Sequence, residues 1–463
     1  MTVVTTVVLA RLLDPSDFGV LAVALVVTEL LNRLSGLGLN GVLVIRLDLD
    51  RRGQGTVFTL LLASGLLAGA LVAGLAPIVA GLFHEDTLRD VLIVFAVMVG
   101  LSGINWFYEA ILTRELAFRR RFVAMTLQTV VYAGVALSLA ALDKGVWSLA
   151  LGVLTGWAAF VVALVWVSPY RVLPTFDREA ARTALSAGRG FLLQGMMAFC
   201  QSNADYIAVG RMLGTTQLGF YTMAYRIGEL PTRAIAEPVG RVTFPAFARM
   251  WHAREEIGPA FLSVLRIVSV VACPIGVILS ASAAPFIEGV FGSKWLPAIG
   301  PLAVLGLWAA IWPIESMFGW MMNAVGLAGV LGRISVIAFV PFVPAVVFGA
   351  KFAGTTGVAW AILGQMTAVL LASSAVAHRR AAIRLADQWR ALRPAVLSSL
   401  PAWTAAHVVA AAGLDPPLLA LGASVVAGLG AYSLSICALE PSLPRSGLAL
   451  LKRMFRRTPA EAA

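Results

Sequence analysis

Charged residues are scarce in this chain of 463 residues. They make up 13% of the sequence, whereas hydrophobic residues make up 59%, and the mean hydropathy is +0.87. Soluble domains carry about 25% charged residues, so this composition excludes an ordinary soluble globular protein. It predicts instead a chain that crosses the membrane several times.

Cysteine and histidine are also rare, with three and four residues. Each cysteine stands alone in an apolar segment without CxxC spacing, and the histidines form no HxxxH or HExxH motif. The sequence therefore indicates neither a disulfide framework nor a zinc site, and we expect no cofactor and no metal. The formal charge of +11 does not indicate nucleic-acid binding, because the basic residues lie in short stretches between apolar segments, as topology signals do.

The apolar runs are long enough to cross a hydrocarbon core of about 30 Å. We place them at about 1–13, 18–45, 55–83, 88–112, 122–142, 145–168, 189–213, 217–244, 259–290, 297–323, 331–350, 355–377, 394–413 and 416–439. The predicted fold is an all-α polytopic membrane protein with about 14 transmembrane helices. The first segment would rise only about 20 Å as a helix, so we expect helix 1 to be truncated. It has no basic leader and no small-residue cleavage site, so it is not interpreted as a signal peptide.

The number of lysine and arginine residues differs between successive loops. With the amino terminus in the cytoplasm, most basic residues fall in loops on that side, and the carboxyl-terminal tail adds more. This asymmetry predicts that both termini are cytoplasmic. The cytoplasmic set includes Arg46, Arg51, Arg52 and, in the tail, Arg445, Lys452, Arg453, Arg456 and Arg457.

The chain repeats itself at an offset of 200 residues. The residues Arg11, Leu13, Gly19, Ala24, Glu29, Leu30 and Arg33 recur as Arg211, Leu213, Gly219, Ala224, Glu229, Leu230 and Arg233. Trp106 and Glu109 recur as Trp312 and Glu315, at an offset of 206. We predict two homologous six-helix lobes, residues 1–176 and 177–377, with helices 13 and 14 and a basic tail in 378–463. Lobes of six helices share one orientation, so their pseudo-twofold axis is expected along the membrane normal.

Charges inside the spans mark the candidate site. A charge near the middle of a membrane helix costs roughly 2.5–3.5 kcal/mol, so its repetition in both halves indicates a role. On the eighth segment four charged residues follow i, i+3, i+7 and i+11, within an arc of about 80° on an α-helix. They are Arg226, Glu229, Arg233 and Glu237.

Two further segments carry polar faces. The seventh places Gln194, Gln201 and Asp205 on one face, with Asn203 nearby, and the second carries Glu29 and Arg33. The i, i+4 spacing of Glu29–Arg33 and Glu229–Arg233 also fits a structural ion pair that locks helices together. Both interpretations stay open, although four charges on one helix exceed what one lock needs, which favours a water-filled cavity.

Several motifs resemble a known family, and the resemblance runs over essentially the whole chain. They are ARLLDPSDFG at 10–19, LAFRR at 116–120, GRMLG at 210–214, LGFY at 218–221, AYR at 224–226 and VTFPA at 242–246. These stretches resemble the polysaccharide-transporter family, the bacterial flippases of lipid-linked oligosaccharides within the multidrug/oligosaccharidyl-lipid/polysaccharide superfamily.

The resemblance implies two six-helix lobes around a cavity lined mainly by helices 1, 2, 7 and 8, working by alternating access. It implies a non-enzymatic flippase of the bacterial inner membrane that moves a polyprenyl-diphosphate-linked oligosaccharide for lipopolysaccharide, exopolysaccharide or capsule synthesis, with polymerase machinery as a further partner. Arginine offers planar donors suited to phosphate, so we expect Arg33, Arg226 and Arg233 to contact the diphosphate. The acidic and polar residues Glu29, Glu229, Glu237, Asp205, Gln201 and Asn203 are expected to line the cavity or carry a coupling proton.

Two other functions share part of this evidence. A drug or cation antiporter of the same superfamily would have the same fold, but its cavity would favour carboxylates over arginines. A membrane glycosyltransferase or polymerase would need a large extracytoplasmic loop, whereas the predicted outward loops are about ten residues long. The mixed charges and short loops favour the flippase.

Overall fold

The computed structural model describes residues 2–45, 50–115 and 117–440. Four features of the sequence prediction lie partly or wholly outside the described residues. They are Met1 of the first segment, Arg46, Leu116 of the LAFRR stretch and the basic tail residues Arg445, Lys452, Arg453, Arg456 and Arg457.

The described residues form two compact units that divide between Thr222 and Met223. The helices up to the division are α1 (Thr2–Leu12), α2 (Pro15–Ser35), α3 (Leu39–Ile45), α4 (Arg51–Phe83), α5 (Asp86–Gly100), α6 (Ser102–Arg114), α7 (Phe118–Ala140), α8 (Val146–Val167) and α9 (Arg178–Leu213). Helix α10 (Thr215–Pro231) runs across it. The remaining helices are α11 (Glu237–His252), α12 (Gly258–Ala281), α13 (Ala283–Phe286), α14 (Ile299–Ala324), α15 (Ala328–Arg380), α16 (Leu385–Ala411) and α17 (Pro417–Leu439).

Each of the 14 predicted segments coincides with a helix or with a broken helix. The second is split into α2 and α3, and the fourth is bent by 45° between α5 and α6. The eleventh and twelfth form α15, whose backbone breaks at Ala353 and Gly354, where Gly354 has φ +59°. An all-α polytopic membrane protein is thus confirmed, and the proposed lobe boundaries at residues 176 and 377 stay predictions.

Length and apolarity single out a subset of these helices. Among the described residues, eight helices are long and apolar enough to cross a membrane, or nine if the bent pair α5 and α6 forms one span. The others include α9, whose apolar sequence is interrupted by the polar residues of the seventh segment, and the short α1.

The first unit is held together by apolar packing around α2 and α4. A buried cluster on α3, α4, α6 and α8 includes Leu61, Phe107 and Leu164, each fully buried. Helix α9 packs on α2, α3 and α4, so the first part of the predicted second lobe belongs to the first compact unit. This packing places the polar residues of α9 in the same unit as those of α2.

Two glycines bring the first turns of α2 and α10 into contact. A Cβ atom at Gly19 would overlap the carbonyl oxygen of Thr215, and a Cβ atom at Gly219 would overlap the carbonyl oxygen of Pro15. Both pairs are related by the offset of 200 residues. Only glycine permits this approach of two helix backbones, because any side chain would occupy the same space.

The second unit has its core between α12, α14 and α16. The fully buried residues there include Phe261, Leu265 and Phe318. Helices α16 and α17 dock on α12, where the Tyr432 hydroxyl donates to the Val270 carbonyl at 3.0 Å. These contacts make the predicted extra helices an integral part of this unit.

Candidate functional site

The Glu29–Arg33 pair lies on α2. The Nη2 and Nε atoms of Arg33 donate to the same Glu29 oxygen at 2.6 and 2.8 Å. The Arg33 and Glu29 side chains are 36% and 40% exposed, so the pair is accessible rather than sealed in the core. An ion pair in such a position retains donor and acceptor capacity toward a bound group.

A polar contact that sequence reasoning missed joins α2 to α6 beside this pair. The indole nitrogen of Trp106 donates to the Asn32 side-chain oxygen at 3.1 Å. Trp106 also lies over Gly36, and the hydroxyls of Ser35 and Ser102 are 3.2 Å apart. These contacts fix the rotation of α2 on α6. The repeat of Trp106 at Trp312 was the only sequence signal for the position.

The charged stripe of the eighth segment is interrupted by a π-helical turn over Thr232–Ala236. The N–H of Glu237 there donates to the carbonyl of Thr232, five residues earlier. Pro231 and Pro238 lie on either side and lack backbone N–H donors, which weakens regular α-helical bonding. Because a π turn contains an extra residue, the α-helical spacing that predicted one continuous arc does not hold from Arg233 to Glu237.

The four charges of this segment have different partners. Arg233 binds Glu229 at 2.8 Å, with side chains 63% and 19% exposed. Glu237 lies 3.8 Å from Arg241, and its charge also acts on Arg233. Arg226 is half-buried and has no hydrogen bond or ion pair with any described residue. Arg226 is therefore the arginine of this stripe whose donors are all available.

Helix α10 is oriented by close packing against α14. Gly228 approaches the Leu305 backbone so closely that a Cβ atom would lie 3.1 Å from its carbonyl oxygen. The ring centroids of Tyr225 and Trp308 are 5.1 Å apart. Trp308 in turn stacks on Trp312, with 4.4 Å between their centroids. This aromatic contact fixes Tyr225, the neighbour of Arg226, and so restrains the position of the arginine.

The polar residues of α9 are placed differently from one another. Asp205 is 3% exposed and accepts a hydrogen bond from the Tyr221 hydroxyl at 2.5 Å. The Asn203 amide donates to the Phe199 carbonyl of its own helix at 3.1 Å, and its side chain is buried. Gln201 is half-buried and Gln194 is exposed. Asp205 thus joins α9 to α10. Its partner Tyr221 was not indicated by any repeat or spacing in the sequence.

Among the described residues, neither carboxylate of the second repeated motif, Glu109 or Glu315, forms an ion pair with Arg33, Arg226 or Arg233. Glu109 on α6 binds Arg121 on α7 at 2.5 Å, and the two side chains are 25% and 38% exposed. Among the described residues, no group of three or more histidine, cysteine, aspartate or glutamate side chains could hold a metal ion. The chemistry available is that of arginine donors and carboxylate acceptors.

Comparison with protein families identifies what the chain resembles. A family model described as "Polysaccharide biosynthesis protein" matches residues 8–300. The chain is 28% identical to the succinoglycan biosynthesis transport protein ExoT of Rhizobium meliloti (strain 1021), over 99% of this chain and 94% of that protein. It is 23% identical to the lipopolysaccharide biosynthesis protein WzxC of Escherichia coli (strain K12), over 76% of this chain and 72% of that protein.

Solved structures share the fold. The lipid II flippase MurJ, in an inward closed conformation, matches with a TM-score of 0.76 at 12% identity, over 95% of this chain and 97% of that chain. An inward-facing multidrug resistance transporter of the MATE family matches with a TM-score of 0.62 at 16% identity, over 84% and 96% of the two chains. At such identities the likeness establishes a shared fold.

Proposed function

The chain belongs to the polysaccharide biosynthesis protein family, and from this premise we propose that it is a flippase that translocates a lipid-linked oligosaccharide by alternating access. Its relatives of known role are named for transport or biosynthesis of succinoglycan and lipopolysaccharide. The substrate proposed for this chain is an oligosaccharide on a polyprenyl diphosphate, exported for an extracellular polymer or for lipopolysaccharide.

The observation that carries the site assignment is Arg226. A lipid carrier has an apolar tail that dissolves in the bilayer, so only the diphosphate and the sugars need shielding from hydrocarbon. Arg226 has no partner among the described residues, and its guanidinium can give two parallel hydrogen bonds to one phosphate. We assign the first diphosphate contact to this residue.

Arg33 and Arg233 would bind the diphosphate more weakly than Arg226, because each is part of an ion pair with no net charge. Each is already paired with a glutamate one turn earlier, at 2.6 and 2.8 Å. A carboxylate beside the arginine lowers the local positive charge, so the anionic headgroup is held weakly enough to be released. Glu29 and Glu229 therefore moderate binding in this proposal, and Glu237, Gln201 and Asn203 contribute polar surface.

The proposal also covers the membrane, the orientation of the termini and the partner protein. We propose the bacterial inner membrane, both termini in the cytoplasm, no catalytic activity and a polysaccharide polymerase as the protein that consumes the exported product. The basic residues between the spans support this orientation, because positively charged loops remain on the cytoplasmic side.

The test removes the unpaired guanidinium in the natural host. Arg226→Ala should abolish surface polysaccharide and accumulate lipid-linked intermediate on the cytoplasmic side, measured at unchanged protein levels in the membrane. Arg226→Lys should restore part of the export, because the charge remains while the planar fork is lost. Arg241→Ala is the matched control. Arg241 is 81% exposed, and its distance of 3.8 Å from the Glu237 carboxylate is long for an ion pair.

The cation antiporter predicts the opposite pattern. There Glu229 or Asp205 would be essential for resistance to a cationic drug and Arg226 would be dispensable. Normal polysaccharide yield from Arg226→Ala, at normal protein level, would show that Arg226 does not bind the diphosphate. If the whole chain can be deleted without accumulation of lipid-linked intermediate, the flippase assignment itself is wrong.

A further inference from the structure

A basic pocket lies where the α8–α9 connection meets the start of α4. The cavity has a volume of about 490 Å³. Its polar lining consists of Arg51, Arg52, Gln54, Tyr170, Arg171 and Thr175. Pockets of a few hundred Å³ commonly accommodate a small ligand or a headgroup.

The wall of this pocket is built by hydrogen bonds between segments far apart in sequence. The Thr59 hydroxyl donates to the Thr175 carbonyl at 2.7 Å, and the Thr175 hydroxyl donates to the Arg52 carbonyl at 3.1 Å. The backbone N–H of Asp177 donates to the Thr56 hydroxyl at 3.0 Å. The connection is thus held on α4 rather than lying loosely on the surface.

The three arginines of the pocket have separate roles. Arg171 donates from Nη1 to the carbonyls of Ser168 at 2.7 Å and Tyr170 at 3.0 Å, which holds the connection after α8. The side chains of Arg51 and Arg52 are exposed and have no ion pair or hydrogen bond with any described residue. Two adjacent arginines therefore offer hydrogen-bond donors to an anion in this pocket.

The nearby carboxylates serve as helix caps. Asp50 accepts the N–H of Gly53 at 2.7 Å, and Asp177 accepts the N–H of Ala180 at 2.8 Å. Each caps the helix that follows it, α4 and α9. Each carboxylate accepts from a backbone donor at a helix start, and among the described residues neither forms an ion pair with Arg51 or Arg52.

The surroundings of the pocket indicate where its ligand comes from. Trp166, Leu173 and Phe176 lie on or beside the connection and are 78%, 80% and 68% exposed. Helix α4 begins and helix α8 ends at this pocket, and both are long enough and apolar enough to span a membrane. Aromatic and apolar side chains next to arginines at helix ends are typical of the lipid headgroup region.

We infer that this pocket binds the phosphate of an anionic phospholipid headgroup from the surrounding membrane. Arg51 and Arg52 contact the phosphate, Gln54 and Tyr170 bound the pocket, and Leu173 and Phe176 lie against the acyl region. The inference is independent of the transported substrate, and it assigns to the α8–α9 connection the role of anchoring this end of the first unit to an anionic leaflet.

The test compares lipids bound by the full-length protein in detergent, by native mass spectrometry after titration with phosphatidylglycerol or phosphatidylcholine. We expect a preference for phosphatidylglycerol that falls about tenfold in Arg51→Gln/Arg52→Gln, since each arginine near a membrane surface contributes substantially to anionic-lipid binding. Arg379→Gln/Arg380→Gln removes the same charge from an adjacent exposed pair at the end of α15 and should keep the preference.

A second measurement leaves the arginines in place. A photoreactive residue at position 173 should cross-link phosphatidylglycerol in preference to phosphatidylcholine, whereas the same residue at position 400, where Leu400 is 69% exposed, should show no preference. The inference is overturned if both arginine pairs lower binding equally, if position 173 shows no preference, or if inorganic phosphate displaces the lipid signal at equal concentration. Export of polysaccharide is measured separately, so failure here leaves the flippase assignment standing.

Discussion

Gly19 and Gly219 occupy equivalent positions of the repeated segments, and each lies against the backbone of the other segment. A Cβ atom on Gly19 would overlap the Thr215 carbonyl, and one on Gly219 would overlap the Pro15 carbonyl. Pro15 and Thr215 are themselves separated by 200 residues, so the contact is reciprocal. Local twofold symmetry between the first turns of α2 and α10 would produce this arrangement.

The first prediction concerns that contact. Gly19→Ala should lower the thermal unfolding temperature of the purified protein by several degrees, because the added methyl group must push two backbones apart. Gly74→Ala is the control, since Gly74 lies in α4 and a Cβ atom there would meet nothing within 4 Å. The control should be neutral or slightly stabilising, since alanine favours a helix by up to about 1 kcal/mol over glycine. Equal unfolding temperatures for Gly19→Ala and the unmodified protein would rule out a tight crossing.

The second prediction concerns the hydrogen bond between Asp205 and Tyr221. Asp205→Asn and Tyr221→Phe should each destabilise the protein, and the double variant should lose less than the sum, with a coupling of about 1–3 kcal/mol. The measurement is a double-mutant cycle of unfolding free energies in detergent.

A transport assay distinguishes two possible roles of Asp205, which are carrying a coupling proton and holding α9 on α10. If the residue carries a coupling proton, Asp205→Asn should abolish polysaccharide export while Tyr221→Phe retains it at matched protein level. Equal loss of export in the two variants, in proportion to their stabilities, would assign Asp205 to the α9–α10 contact alone.

The third prediction tests whether the repeated arginines face water. With Cys200, Cys273 and Cys437 replaced, cysteines introduced by Arg33→Cys and Arg233→Cys should react with a charged thiol reagent, because the parent side chains are 36% and 63% exposed. The matched controls are Ala24→Cys and Ala224→Cys, at fully buried positions of the same two segments. They should remain unlabelled.

The reagent chosen distinguishes water from lipid. Labelling at 33 and 233 by a membrane-permeable reagent, without labelling by the charged one, would place these side chains against hydrocarbon or in a closed lock. In that case the ion pairs Glu29–Arg33 and Glu229–Arg233 would be structural, as their i, i+4 spacing also allows.

The local ion pairs were predictable because helical spacing determines them. Residues four positions apart lie on one face of a helix, and Arg33 binds Glu29 as Arg233 binds Glu229. The continuous stripe was not predictable in the same way. A π turn at Thr232–Ala236 separates Arg233 from Glu237, and its extra residue leaves no signature in hydrophobic periodicity.

Composition and periodicity alone determined that this chain is an all-α membrane protein, since a bilayer demands long apolar helices whose backbone groups bond internally. The residues that recur at an offset of 200 indicated the duplication and the charges inside it. Only the tertiary structure decided which charges have partners: Asp205 meets Tyr221 on α10, Trp106 meets Asn32 on α2, and Arg226 keeps its donors unpaired among the described residues. Such contacts depend on how helices rotate and approach one another, and that is set by close packing between segments distant in sequence, which no local pattern records.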